Sequence, residues 1–227
     1  MTQITHNLAS VRRRIVAAAR HYGRNPDSIR LLAVSKKQPV SAICEAIGQE
    51  QKDFGESFVV EAIDKQSQID ARVTWHFIGK IQSNKARLVA RHFDWVHSLD
   101  RIKIAHRLSR FRGAGKPLKV LIELNLSDDP SRAGVAPAEL HDLAAEVREL
   151  PNLRLRGLMS MAPYSDDEQV QRAAFRRTRG LFDDLNADGF NLDCLSMGMS
   201  GDLEAAIAEG ANWVRVGSDI FGARSSD

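Results

Sequence analysis

Lys36 closes the apolar run Leu31-Leu32-Ala33-Val34-Ser35. An amine at the end of a buried strand is costly unless it is paired or loses its charge. Desolvation lowers a lysine pKa, and the neutral amine can then attack a carbonyl and form a Schiff base. Near the other end stand Ser196-Met197-Gly198-Met199-Ser200-Gly201-Asp202 and Val214-Arg215-Val216-Gly217-Ser218, which read as two successive loops suited to a phosphate. Gly198, Gly201 and Gly217 allow close backbone approach, and Ser200 and Ser218 add hydroxyl donors. Successive backbone N–H groups ahead of a helix favour an anion. An amine with a phosphate cradle is suited to a phosphorylated aldehyde. Taken singly, each feature has a plainer reading: a solvated lysine past a strand end, and a Gly-Ser turn. Their relative placement decides between the two.

That placement follows from the order of elements. Ile4, Leu8, Val11, Ile15 and Ala18 form one apolar stripe, so a helix precedes the first strand and ends before Gly23 and Pro26. Strand-like runs then alternate with helical stretches. The first strand is Leu31–Ser35, and Pro39 opens a helix through Ile43 and Ile47. The second strand, Asp53–Gly55, precedes a helix from Glu56 toward Gln68. The third, Val73–Gly79, precedes a helix from Ser83 to Arg91. The fourth, Trp95–Ser98, precedes a helix from Asp100 to Phe111. The fifth, Leu118–Asn125, has the apolar β-rich composition of a buried parallel strand, with a helix over Pro137–Leu150. The sixth is Leu153–Met161, with a helix from Asp166 to Asn186. The seventh is Leu192–Met197, with a helix from Gly201 to Glu209. The eighth is Trp213–Gly217, with a last turn at Asp219–Phe221.

Eight strands alternating with helices imply right-handed crossovers and a parallel sheet. The expected fold is α/β: a single (β/α)8 TIM barrel with an extra N-terminal helix, one domain spanning 1–227. An open doubly wound sheet is the alternative, but no GxGxxG follows the first strand. In such a barrel ligands bind at the strands' C-terminal ends, and loops seven and eight often hold phosphate. Strand one neighbours strand eight in a closed barrel, so Lys36 and the two loops meet at one rim. Pyridoxal 5'-phosphate is the cofactor that this chemistry suggests. Arg215 points the same way as Gly217 in a regular strand, and an arginine inside the barrel needs a partner, which the cofactor could be. Glu56, Ser57, His76, Gly79, Asn125, Met159 and Ser160 also end strands. His76 is either a base or a hydrogen-bonded strand histidine. Asn125 either donates to a ligand oxygen or caps the next turn.

Composition narrows the class. Of 227 residues, 43% are hydrophobic and 27% charged, which is the profile of a soluble globular protein. No apolar run approaches a membrane span, and Met1-Thr2-Gln3-Ile4-Thr5-His6-Asn7 lacks the order of a signal peptide. Two lone cysteines, Cys44 and Cys194, belong to no metal-binding pattern and fit a reducing cytoplasm. The net charge of +3 is spread among acidic residues. Arg12-Arg13-Arg14 and Arg172 through Arg179 read as exposed helix faces, without the aromatic platforms of nucleic-acid binders. The expectation is therefore no nucleic-acid partner, no membrane and a cytoplasmic location.

The following segments resemble the pyridoxal phosphate homeostasis proteins, the YggS/PROSC family: Leu32-Ala33-Val34-Ser35-Lys36, Phe54-Gly55-Glu56-Ser57, Trp75-His76-Phe77-Ile78-Gly79, Gln82-Ser83-Asn84-Lys85, Gly157-Leu158-Met159, Leu195-Ser196-Met197-Gly198-Met199-Ser200 and Val214-Arg215-Val216-Gly217. The resemblance implies a fold-type III barrel, similar to the N-terminal domain of alanine racemase, with Lys36 carrying the cofactor as an aldimine. It also implies that Ser200, Gly217 and Ser218 hold the phosphate and that Arg215 faces the pyridine nitrogen. An arginine there stays protonated, which leaves the ring a weak electron sink. The chain departs from the family pattern at Ser57-Phe58, where Asn-Tyr is frequent, and at Lys80, where proline is frequent. It departs again in Ser131-Arg132-Ala133-Gly134, where a lysine commonly precedes the small residue. Arg132 could hold a phosphate but could not form an imine.

The function implied is a carrier that binds pyridoxal 5'-phosphate, maintains its homeostasis and passes it to apo-enzymes, as a monomer and without evident catalysis. The alternative is an amino-acid racemase using the same cofactor. That chemistry needs a proton donor on each face of a planar carbanion. Lys36 supplies one. In alanine racemase the other comes from a second domain of a partner subunit, for which these 227 residues leave no room, and His76 is the nearest substitute.

Overall fold

The structure, a computed structural model, describes residues 2–127, 129 and 132–222. It opens on helix α1 (Gln3–His21), capped by Thr2, whose side chain accepts from Thr5 N–H at 3.4 Å. Leu8, Val11, Ile15 and Ala18 form its buried stripe, as the spacing predicts. Strands and helices then alternate: β1 (Arg30–Val34), α2 (Val40–Gly48), β2 (Asp53–Glu56), α3 (Val59–Gln68), β3 (Thr74–Phe77), α4 (Ala86–His92), β4 (Trp95–Leu99) and α5 (Ile102–Arg112). The second half continues with β5 (Leu118–Glu123), α6 (Leu140–Arg148), β6 (Leu153–Met159), α7 (Glu168–Ala187), β7 (Cys194–Ser196), α8 (Leu203–Ala208), β8 (Trp213–Val216) and α9 (Ser218–Phe221).

The eight strands form a closed parallel barrel in sequence order, a TIM barrel with α1 in front. The seam pairs Leu32 with Arg215 and Ala33 with Val216, which brings Lys36 beside Gly217 and Ser218. The expected elements are all present, and the ends differ where side chains have a better use. The helix expected from Glu56 starts at Val59, because Glu56 ends β2 as a buried hydrogen-bonded residue. Pro137 opens a 3-10 turn, Pro137–Glu139, and α6 starts after it at Leu140.

The main core lies between barrel and helices. A smaller cluster of Leu32, Trp95, Leu121, Met159, Cys194 and Trp213 fills the barrel interior. Cations close its N-terminal mouth: Arg30 lies 5.3 Å from the Trp213 ring centroid, and Lys119 4.9 Å from that of Trp95. The C-terminal mouth is open.

Candidate functional site

A cavity of about 450 Å³ occupies that open mouth. This lies within the range of small-molecule sites. It is lined by Lys36 after β1, Glu123 at the end of β5, Arg215 of β8, and the loops carrying Ser200, Gly217 and Ser218. Five of the seven residues proposed from sequence, Lys36, Ser200, Arg215, Gly217 and Ser218, share this one wall-to-wall space.

Lys36 is half-buried and gripped through its neighbours. Ser35 N–H donates to Gly55 O at 3.0 Å, and Ser35 Oγ donates to Glu56 Oε1 at 2.7 Å. Lys65 Nζ donates to Ser35 O at 2.8 Å and to Glu56 Oε1 at 2.9 Å, and pairs with Glu61 at 2.6 Å. Glu61 also accepts from Lys37 N–H at 2.6 Å, where the backbone takes φ +59°. The backbone on both sides of Lys36 is therefore fixed by one buried ion cluster. Burial raises the Glu56 pKa against the opposing pull of Lys65.

The adjoining wall, formed by the loops after β7 and β8, is built for an anion. Ser200 Oγ and Ser218 Oγ lie 3.2 Å apart, so two hydroxyls converge on one place. Gly198 adopts φ +89°, and a Cβ there would lie 2.6 Å from Ala206 Cβ, so the turn into this loop requires glycine. Arg14 of α1 ties the two loops together. Its guanidinium donates to Ser200 O at 2.9 Å and pairs with Glu204 at 2.8 Å and Asp219 at 2.6 Å. Arg14 is thus a structural tie, not part of a solvated basic face.

Arg215 lies beneath these loops, 6% exposed. It donates through Nη1 to Ser196 O at 2.6 Å and Ser196 Oγ at 2.8 Å, and through Nη2 to Ser160 O at 2.9 Å. Burial pushes its pKa down to about 10, with Asp202 and Glu123 opposing, so it is charged at neutral pH.

His76 does not reach the cavity. It faces the barrel interior toward the closed end, where Nε2 meets Asp53 Oδ1 at 3.1 Å and Nδ1 meets His97 Nε2 at 3.0 Å. His97 Nδ1 meets Ser196 Oγ at 2.9 Å. Burial lowers both histidine pKa values, so both rings are neutral. The two charged ends then set every proton. The Asp53 carboxylate takes the His76 Nε2–H, His97 Nε2–H donates to His76 Nδ1, and Ser196 O–H donates to His97 Nδ1. Arg215 donates into the same chain at Ser196. His76 therefore belongs to a relay that supports Arg215 from below.

Asn125 also lies off the cavity wall. Its Nδ2 donates to Asp129 O at 2.9 Å, and its Oδ1 accepts from Ser127 Oγ at 2.7 Å. These bonds shape the loop after β5. Of the departing motif in that loop, Arg132 is exposed and Ser131 lies outside the described residues.

Sequence reasoning missed Glu123. Alternation from Leu121, which faces the interior, places it inside as well, and an acid at that spot was the available signal. Its pKa is pushed up to about 7 by burial and by Asp100, against Arg215 and Lys80. The thiol of Cys194, deep in the barrel, is pushed up to about 12 by burial and is inert.

Comparisons with known proteins identify the family and the fold. The family model for the alanine racemase N-terminal domain matches residues 2–225. The pyridoxal phosphate homeostasis protein of Pseudomonas aeruginosa is 52% identical over 226 residues, covering 99% of this chain and 97% of that protein. Its namesake in Escherichia coli is 51% identical over 230 residues, covering 99% and 98%. Among solved structures, PipY of Synechococcus elongatus with PLP bound is 40% identical, with a TM-score of 0.86, covering 96% of this chain and all of that one.

Proposed function

The chain belongs to the alanine racemase N-terminal domain family, among the pyridoxal phosphate homeostasis proteins, and on that premise we propose that it binds pyridoxal 5'-phosphate and keeps the cofactor available to other proteins. One observation carries the reading: an amine, a buried guanidinium and two converging hydroxyls line a single cavity. The donor set fits the cofactor. Ser200, Ser218 and the backbone at Gly217 suit the phosphate, and a Cβ on Gly217 would press on Val34 O at 3.2 Å. Lys36 is the nucleophile for the aldehyde, and Arg215 is the residue for the pyridine nitrogen.

When bound, the cofactor supplies an aldehyde that condenses reversibly with primary amines. The protein's residues determine what is done with it. The Ser35–Glu56–Lys65–Glu61 cluster holds the backbone around Lys36, so the amine is presented from a fixed base. Arg215 is locked by Ser196 and Ser160, and a guanidinium donates without accepting. It leaves the nitrogen it faces unprotonated, which favours holding the cofactor over carbanion chemistry. His76, the substitute named from sequence for a second proton donor, does not line the cavity and is committed to Asp53 and His97. The reading extends to a monomer in the cytoplasm that passes cofactor to apo-enzymes.

The test is visible absorption and borohydride trapping on the parent and on Lys36→Ala, with pyridoxal 5'-phosphate or with pyridoxal. The expected result is a Lys36-dependent band and covalent trapping, with much weaker binding of unphosphorylated pyridoxal. Equal trapping in Lys36→Ala would remove Lys36 from the site. Equal affinity for pyridoxal would remove Ser200, Gly217 and Ser218 from theirs.

A further inference from the structure

Glu123 is a buried acid on the cavity wall that the reading above leaves without a task. It is 5% exposed and lies on the cavity wall. Among the described residues no hydrogen bond or ion pair engages its side chain. The contrast is Glu56, the other acid at the inner end of a strand, which has Ser35 and Lys65 as partners. Glu56 Oε2 is the buried side-chain oxygen without a partner among the described residues, so the Glu123 oxygens open onto the cavity space.

An ionised carboxylate only accepts, so its complement is a donor, and a cationic donor makes the strongest bond. The charged groups that act on it or share its cavity come from six elements, Asp166 ahead of α7 and Asp202 ahead of α8 among them. Lys36 follows β1, Lys80 follows β3, Asp100 follows β4, and Arg215 stands on β8. The phosphate wall is formed by the loops after β7 and β8. Lys36 and Glu123 line the same cavity as that wall, so a group on the ligand that meets Lys36 lies in the space that Glu123 also faces.

We propose that Glu123 is the receptor for a primary ammonium group, so that the cavity takes the amine form of the cofactor, pyridoxamine 5'-phosphate, as well as the aldehyde form. This rests on the cofactor reading above and names a second ligand class for the same cavity. A ligand ammonium and the Lys36 amine would repel one another in a confined space, and the Glu123 carboxylate offsets that repulsion. The aldehyde form carries no charge at the same position and has no need of Glu123. Receiving an ammonium requires the ionised carboxyl. With its pKa at about 7, Glu123 is about one-tenth ionised at pH 6 and nine-tenths at pH 8, so affinity for the amine rises about tenfold over that interval. The ligand phosphate also ionises near pH 6, which adds a rise common to every phosphorylated form.

The experiment compares pyridoxamine 5'-phosphate with pyridoxine 5'-phosphate, in which a neutral hydroxyl replaces the amine. Both are titrated calorimetrically into the cofactor-free protein and its Glu123→Gln variant at pH 6 and pH 8, with Glu123→Asp as a charge-retaining control. The expected result is an amine-over-hydroxyl preference of about tenfold or more at pH 8 in the parent. It shrinks at pH 6, is lost in Glu123→Gln and persists in Glu123→Asp. An equal preference in parent and Glu123→Gln, or none in a parent that binds both ligands, overturns the ammonium receptor and leaves the cofactor reading standing. Failure of the parent to bind either ligand or pyridoxal 5'-phosphate overturns the cofactor reading itself, and this inference with it.

Discussion

Glu123→Gln makes a prediction about folding that needs no ligand. In the native state the carboxyl has a pKa of about 7, against an ordinary value of 4.5. At about 1.4 kcal/mol per tenfold change in proton affinity, the ionised form costs the fold about 3 kcal/mol. The group is 5% exposed, so solvent screens this little. The sign follows from linkage. Below pH 4.5 both folded and unfolded states hold the proton, and nothing is lost. From 4.5 to about 7 the unfolded chain gives up its proton while the native state keeps it, so stability falls as pH rises. Above 7 the full penalty is present. Glutamine does not titrate. Urea unfolding of parent and variant at pH 5 and pH 8 should therefore show the variant's relative stability increasing by about 2–3 kcal/mol at the higher pH. For a chain of this size that is roughly 4–12 °C in Tm. A parent-to-variant difference that is the same at both pH values refutes the assignment of a buried, cavity-facing carboxyl with a raised pKa.

Two other substitutions test how the site is supported. Lys65→Met strands Glu56, whose side chain is fully buried, and should cost about 3–5 kcal/mol in urea unfolding; adding Glu56→Gln should recover part of the loss. Gly79→Ala places a Cβ 2.3 Å from Ser57 O, where two backbones meet, and should cost about 1–3 kcal/mol or more. Gly48→Ala, with open space around it, should be neutral or stabilising, and equal melting temperatures for the two variants would contradict the close approach at Gly79.

Much of this protein is legible in the chain itself. The βα rhythm specifies eight parallel strands because apolar strand runs and 3.6-residue stripes are local patterns. The barrel then follows from the handedness of the crossovers. Lys36 at a strand end and the Gly-Ser loops are equally local, and strand one must adjoin strand eight once the barrel closes. Depth along the barrel axis is not local. Alternation places His76 inside the barrel, but only the pairing of Gly55 with His76 and the reach of Asp53 and His97 set it below the cavity floor. Asn125 could point to a ligand or to its own loop, and Ser127 and Asp129 decided for the loop. Arg14 reads as one of three basic residues on a helix until α1 packs against α8 and α9 and brings it to Ser200, Glu204 and Asp219. Glu123 is an ordinary letter at the end of a strand. It becomes a buried acid without a hydrogen-bond partner because residues far apart in sequence surround it and none of those described offers it a bond. Periodicity records which face a side chain takes, whereas partners, depth and proton affinity are set by contacts between distant segments, which only the closed barrel brings together.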